Sequence, residues 1–300
     1  MNVLSIQNVT KQYSNHRAVD NISFDVPAGS IFGLLGPNGA GKTSLIRIIT
    51  RITGADSGAI ILNGVPINAA EVREVGYMPE ERGLYKKMRV GEHLMYLAQL
   101  KGLSHKESRT VINEWFDKFD IGSWWNKKIE ELSKGMQQKI QFIATVMHKP
   151  SLIILDEPFT GLDPINTNLI KDEIHRMNEE GVSIIFSTHR MEQVEEICKD
   201  IVLIDNGSKV LEGKVSDIKQ KFKEHLFEID YIGEETLRKG SSFDVVGASN
   251  GNAIVQISDH ASTNHVIHEI IEQGVQIQRF EERLPSLNDI FIKIVESKKR

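Results

Sequence analysis

Residues 36 to 43 read Gly36-Pro37-Asn38-Gly39-Ala40-Gly41-Lys42-Thr43, between the apolar run 31–35 and a stretch of helical texture from Ser44 to Arg51. No other part of the chain restricts the fold as tightly. The glycines let successive backbone N–H groups curl around a phosphate. Lys42 sets a point charge against the β- and γ-phosphates of a nucleotide, and the Thr43 hydroxyl is placed to ligate Mg²⁺. Such a loop works between a buried strand and a helix, so it predicts a phosphate-loop α/β core.

The rest of the chain reads consistently with that core. Runs 152–155 and 183–186 are short and continuously apolar, as expected of central parallel strands buried on both faces. Segments 4–9 and 22–26 alternate like antiparallel strands and predict a β subdomain beside the core. From about 90 to 148 the texture is helical, with Ser104-x-x-Glu107 as a capping box and all three tryptophans, Trp115, Trp124 and Trp125; this predicts an inserted helical subdomain. Run 201–204, the turn Asn206-Gly207 and Val210-Leu211 predict a hairpin that closes a first domain, 1–213. Residues 214–300 then read as a small α+β domain: a polar helix, strands near 226–229, 243–246, 253–257 and 275–280, a helix at 264–272, and a last helix capped by Ser286-x-x-Asp289.

Composition excludes several classes. With 40% hydrophobic and 26% charged residues the chain is ordinary for a globular protein, and no run offers the roughly eighteen uncharged apolar residues of a membrane span. The net charge of −5 gives no basic field for nucleic acid. The first residues carry no signal-peptide pattern, so the chain is expected to be mature from Met1 and cytoplasmic, and a single cysteine, Cys198, agrees with a reducing compartment. Cys198 is expected to be a small packing residue on a helix, and Lys298-Lys299-Arg300 a solvated end.

Chemistry concentrates at a second place. Asp156-Glu157 puts two carboxylates at the end of a buried strand, where a parallel sheet presents its ligand site. Asp156 is expected to reach Mg²⁺ through water, and Glu157 to orient and deprotonate a water attacking a γ-phosphoryl group.

With the phosphate loop and these carboxylates in order, the chain resembles the ATP-binding subunits of ABC transporters over residues 1 to about 213. The segment most particular to that family is Leu132-Ser133-Lys134-Gly135-Met136-Gln137-Gln138-Lys139, similar to its signature peptide, with Ser133 as a helix cap. The resemblance implies that Ser133, Lys134, Gly135 and Met136 contact ATP held by a second subunit, a further copy of this chain or a paralogue, in a head-to-tail dimer. It implies that Tyr13 stacks on adenine, that Gly36 to Thr43 and Ser44 hold the phosphates, that His189 contacts the γ-phosphate, and that Asp163 couples the two sites across the dimer. The cofactors implied are ATP and Mg²⁺.

Two places depart from the commonest family pattern. Glu80, in Tyr77-Met78-Pro79-Glu80-Glu81-Arg82-Gly83, stands where most members carry Gln; it is expected to ligate Mg²⁺ but cannot donate an amide hydrogen bond. Lys134 and Met136 replace a frequent Gly and Gln. Both resemble exporter-type subunits acting on drugs, sodium or polysaccharide, as does the tail from Leu284 to Phe291. The function implied is an ATPase that energises export through a separate integral-membrane permease, met at the 80–89 loop and the helical subdomain. The chain would then be peripheral on the inner face of the membrane, with no nucleic-acid partner. The C-terminal domain is expected to be regulatory or to support the dimer. A soluble ABC-type ATPase acting on ribosome, DNA or cofactor assembly is the alternative. A kinase or GTPase would leave the signature segment and His189 unexplained.

Overall fold

The computed structural model describes residues 1–233, 237–258 and 260–297, so the basic tail 298–300 lies outside the described residues. The chain divides into two compact units, Met1–Lys214 and a second from Val215 onward. The first unit contains, in order, β1 (Asn2–Tyr13), β2 (His16–Pro27), β3 (Ile31–Leu35), α1 (Lys42–Ile49), β4 (Ser57–Leu62), β5 (Val65–Pro66), β6 (Val75–Met78), α2 (Val90–Leu100), α3 (His105–Lys118), α4 (Lys134–Val146), β7 (Leu152–Asp156), α5 (Pro164–Glu179), β8 (Ser183–Thr188), α6 (Met191–Ile197), β9 (Asp200–Asp205) and β10 (Ser208–Lys214).

Two sheets share one core. The central sheet has the order β10-β9-β3-β8-β7-β6, parallel except for the β9–β10 hairpin, and every residue of β3, β7 and β8 is buried. Burial on both faces is why those strands lack alternation. The antiparallel sheet β2-β1-β4-β5 shows the opposite pattern, with Leu4, Ile6, Ile22 and Phe24 turned into the cluster that also holds Leu45 and Ile46 of α1. Each fully buried side chain of this size contributes about 1.5–3 kcal/mol. Strands β4 and β6 had escaped the sequence reading. The first carries the apolar run Ala59 to Leu62 behind Ser57-Gly58, which the sequence reading passed over, and the second is only four residues long and includes Gly76.

The helical region is held by aromatic contacts. Ser104 and Glu107 form the reciprocal cap at the start of α3, at 2.8 and 3.3 Å. Trp115 meets Phe119 and Phe142 edge-on at 5.4 and 6.1 Å. Gly91 lets the start of α2 approach Trp125, since a Cβ there would lie 2.3 Å from the indole. Cys198 is buried, but it follows α6 in extended conformation rather than lying on a helix, because that helix ends at Ile197.

In the second unit, α7 (Val215–Lys221), β11 (Leu226–Ile232), β12 (Phe243–Ser249), β13 (Asn252–Ile257), α8 (Thr263–Glu272), β14 (Gln276–Arg283) and α9 (Leu287–Ser297) surround an antiparallel sheet of order β12-β13-β11-β14. Ile229, Tyr231, Val255, Val266 and Ile270 form its own core.

Candidate functional site

Parallel register brings four chain segments to one edge of the central sheet. Leu35 pairs with Thr188, Asp156 with Ser187, and Met78 with Leu155. The residues that follow these strand ends are the loop 36–43, His189, Glu157, and Pro79-Glu80, so all four emerge together at the carboxyl edge where such sheets bind ligands. There the loop (Asn38 to Ser44), Glu80 and Asp156-Glu157 line a cavity of about 440 Å³ with Tyr13, His16 and Ala18 of the antiparallel sheet, whereas His189 is not part of its lining and meets it only through Glu157. Gly36 and Pro37 are not part of the lining. That volume is in the range of a small-molecule site.

The loop is shaped by its glycines. Gly41 has φ 106°, and a Cβ there would lie 2.2 Å from the Ala18 carbonyl, whereas Gly39, φ 79°, faces open space. Lys42 is 7% exposed and donates to the Gly36 and Pro37 carbonyls at 2.6 and 3.1 Å. Burial lowers its pKa, opposed by the charges of Glu157, Asp156 and Glu80. The Lys42 ammonium, resting on loop carbonyls, can bond an anionic phosphate, and the three carboxylates around it leave a negative surplus that a divalent cation would offset.

The carboxylates are differently held. Asp156, 2% exposed, accepts from the Ser187 hydroxyl at 2.7 Å and from Thr43 Oγ1 at 3.3 Å. Burial pushes its carboxyl up, countered by those two hydroxyls. Glu157 has a positive φ of 51° and accepts from Thr188 Oγ1 at 3.0 Å and the His189 N–H at 2.9 Å, with His189 Nδ1 at 2.6 Å. A bulky residue holds that backbone conformation only when its surroundings enforce it. The oxygen donors Thr43, Asp156 and Glu80 suit Mg²⁺, which takes one or two carboxylates and completes its shell with water and substrate phosphate. Among the described residues no group of three or more His, Cys, Asp or Glu is arranged to hold a metal.

The signature residues lie elsewhere. Ser133 caps α4, accepting from the Met136 N–H at 3.3 Å, and Asp163 caps α5, accepting from the Asn166 N–H at 2.9 Å. Ser133, Lys134, Gly135, Met136 and Asp163 line a second cavity of about 410 Å³ with Trp124, Lys139 and Gly161. Within one chain, then, the structure gathers the phosphate-loop set and the signature set but does not bring one to the other. The sequence reading had missed Ser187, Thr188 and His16. The two hydroxyls were signalled only by polar residues ending an apolar strand, since their partners come from strand pairing.

Comparison with known proteins agrees with this geometry. The family model "ABC transporter" matches residues 19–160, and that of the DrrA1-3-like ATP-binding protein C-terminal domain matches 213–295. The chain is 42% identical over 296 residues to the uncharacterized ABC transporter ATP-binding protein YhaQ of Bacillus subtilis (strain 168), covering 98% of each. It is 36% identical to the linearmycin resistance ATP-binding protein LnrL of the same organism, over 72% of this chain and 70% of that protein. A solved ATP binding subunit of an ABC transporter aligns with a TM-score of 0.69 at 30% identity, covering 73% of this chain and 93% of that one. The chain therefore belongs to the ABC transporter ATP-binding proteins and carries the DrrA-like C-terminal domain of that family.

Proposed function

We propose that this chain binds and hydrolyses ATP with Mg²⁺ and drives export through a separate integral-membrane permease, which holds it at the cytoplasmic face of the membrane. The observation that carries the reading is the meeting of Lys42, Thr43, Glu80, Asp156 and Glu157 on one cavity while Ser133 to Met136 and Asp163 line another. Each chain holds ATP on its own loop, and the second cavity takes the nucleotide of a partner chain, a further copy or a paralogue. Tyr13, 40% exposed at the end of β1, offers its ring to the adenine.

Lys42 moves from the loop carbonyls to the β- and γ-phosphates. Thr43, Glu80 and, through water, Asp156 would hold Mg²⁺, which would neutralise charge on those phosphates. Glu157, oriented by Thr188 and His189, takes a proton from the attacking water, and the other ring nitrogen of His189 is left for the γ-phosphate. Similarity to the Nod factor export ATP-binding protein I of Burkholderia thailandensis, 34% identical over 70% of this chain, supports the outward direction. A groove of about 450 Å³, floored by Val75, Tyr77, Leu84, Leu97 and Ala144 beside the 80–89 loop, supports docking of a permease helix there. Binding at that loop couples to the nucleotide through Glu80, one end of the same segment. The 86 residues of the second unit have no place in this chemistry and support the dimer or regulate it.

Purifying the chain from native membranes in mild detergent tests the reading. A stoichiometric multi-span protein eluting with it is the expected result. Elution alone, or with ribosomal or nucleic-acid partners, would overturn it in favour of a soluble ATPase.

A further inference from the structure

One side-chain pair ties together three segments around the two cavities. Arg82, two residues beyond Glu80 and half-buried, donates from Nε to Gln138 Oε1 at 3.2 Å and from Nη2 to the Thr160 carbonyl at 3.4 Å. Gln138, 2% exposed in α4, donates in turn to the Pro158 carbonyl at 2.8 Å. Three residues on, Gln141 donates to the Pro79 carbonyl at 2.6 Å. Gly161 leaves room for the guanidinium, since a Cβ there would come 3.1 Å from Arg82 Nη2. The helix that begins at Ser133, the loop from Glu157 to Asp163 and the segment that carries Glu80 are thereby joined. Helix and loop supply the two walls of the second cavity, Ser133 to Met136 on one side and Gly161 and Asp163 on the other.

The chemistry of the pair favours a fixed geometry. A guanidinium presents its donors in a rigid plane, so bonding to two different elements sets their relative position as well as their separation. The Gln138 amide is oriented from both ends, its oxygen by Arg82 and its nitrogen by Pro158. Being buried, it cannot exchange either partner for water cheaply.

We propose that Arg82 and Gln138 are positioning residues: they hold the 158–163 loop against the signature helix, so that the second cavity is shaped to receive a partner chain's nucleotide, and they make that shape answer to the Glu80 segment. This rests on the two-chain ATPase reading above. Neither residue touches the ATP bound to its own chain. Their loss therefore acts on dimer formation and turnover and leaves single-chain binding alone.

The test uses the full chain with Arg82→Lys, Arg82→Met, Gln138→Leu and the Arg82→Met/Gln138→Leu double substitution, each with and without Glu157→Gln. Affinity for MgATP should stay within about twofold, while kcat and the ATP-driven dimerisation of the Glu157→Gln forms, followed by light scattering, fall about tenfold, as for loss of one charged hydrogen bond. KM should change little beside kcat, and the thermal unfolding midpoint and the number of ATP sites titrated per chain should be unchanged, which a smaller folded fraction would not allow. Arg82→Lys should behave like Arg82→Met, because an ammonium keeps the charge but not the fork. The double variant should be no worse than the poorer single one. Near-normal kcat and dimerisation in both Arg82 variants, or additive losses in the double one, would overturn the inference. Arg82→Lys keeps the test decisive should Gln138→Leu fail to fold. A Glu157→Gln chain that stays monomeric in ATP would instead remove the two-chain reading itself, and this inference with it.

Discussion

Replacing Glu157 with Gln should separate the base from the scaffold that holds it. The side chain is 7% exposed, with the His189 N–H at 2.9 Å and Nδ1 at 2.6 Å on one oxygen, and the Thr188 hydroxyl at 3.0 Å on the other. A glutamine with its carbonyl at the first position keeps both contacts to His189. Its NH₂ then faces the Thr188 hydroxyl, which loses its acceptor, and the remaining bonds lose charge assistance. Together these cost about 1–2 kcal/mol. Part is offset because Asp156, already pushed up by burial, loses a neighbouring negative charge. Hydrolysis loses its general base, worth roughly a hundredfold or more, or about 2.7 kcal/mol of barrier per hundredfold. ATP binding should persist, since a carboxylate facing the phosphates has gone, and the ATP-bound dimer should accumulate. Phosphate release under saturating MgATP, with thermal unfolding and light scattering alongside, measures all three. Turnover within about threefold of the unsubstituted chain would remove Glu157 from the role of base. A stability loss of several kcal/mol would refute the hydrogen-bond reasoning.

Glu80→Ala should raise the Mg²⁺ concentration needed for half-maximal hydrolysis, and an unchanged Mg²⁺ titration would exclude Glu80 as a ligand. Tyr85, 51% exposed and edge-on to His93 and Tyr96 at 5.5 and 5.9 Å, should tolerate Tyr85→Glu with ATP binding intact but transport uncoupled; loss of binding in an equilibrium titration counts against its place on the permease surface. His93 is fully buried, neither ring nitrogen has a hydrogen-bond partner, and burial lowers its pKa to about 4. The unfolded chain, near 6.5, takes up the proton first, so the stability due to the neutral ring is present above about pH 6.5 and lost as pH falls toward 4. The loss is about 2 kcal/mol between pH 7 and 5. His93→Phe should flatten that part of a denaturant-unfolding profile, leaving the share of His148, which burial and Lys101 also lower to about 4. Gly91→Ala should destabilise by about 3 kcal/mol, the upper end for overpacking, because its Cβ would meet the Trp125 indole at 2.3 Å; unchanged thermal unfolding would refute that contact.

The elements legible in the sequence were those whose cause is local. Apolar runs 31–35, 152–155 and 183–186 became β3, β7 and β8, and Ser104 with Glu107 capped α3, since burial on both faces and capping each leave a short pattern. The strand β6, four residues with Gly76 among them, left none and is recognisable only from its pairing with β7. The same division runs through the site. Glycines at 36, 39 and 41, the charge of Lys42 and the adjacent carboxylates Asp156 and Glu157 carry their chemistry wherever they are placed, and the sequence alone determined that this chain handles a nucleotide on an α/β sheet. Which of those groups meet was decided by tertiary structure. Strand register sets Ser187 under Asp156 and Thr188 against Glu157, and Arg82 finds Gln138 and Thr160 across 56 and 78 residues. Such pairings arise from the alignment of distant strands and helices, for which no local periodicity carries a signal.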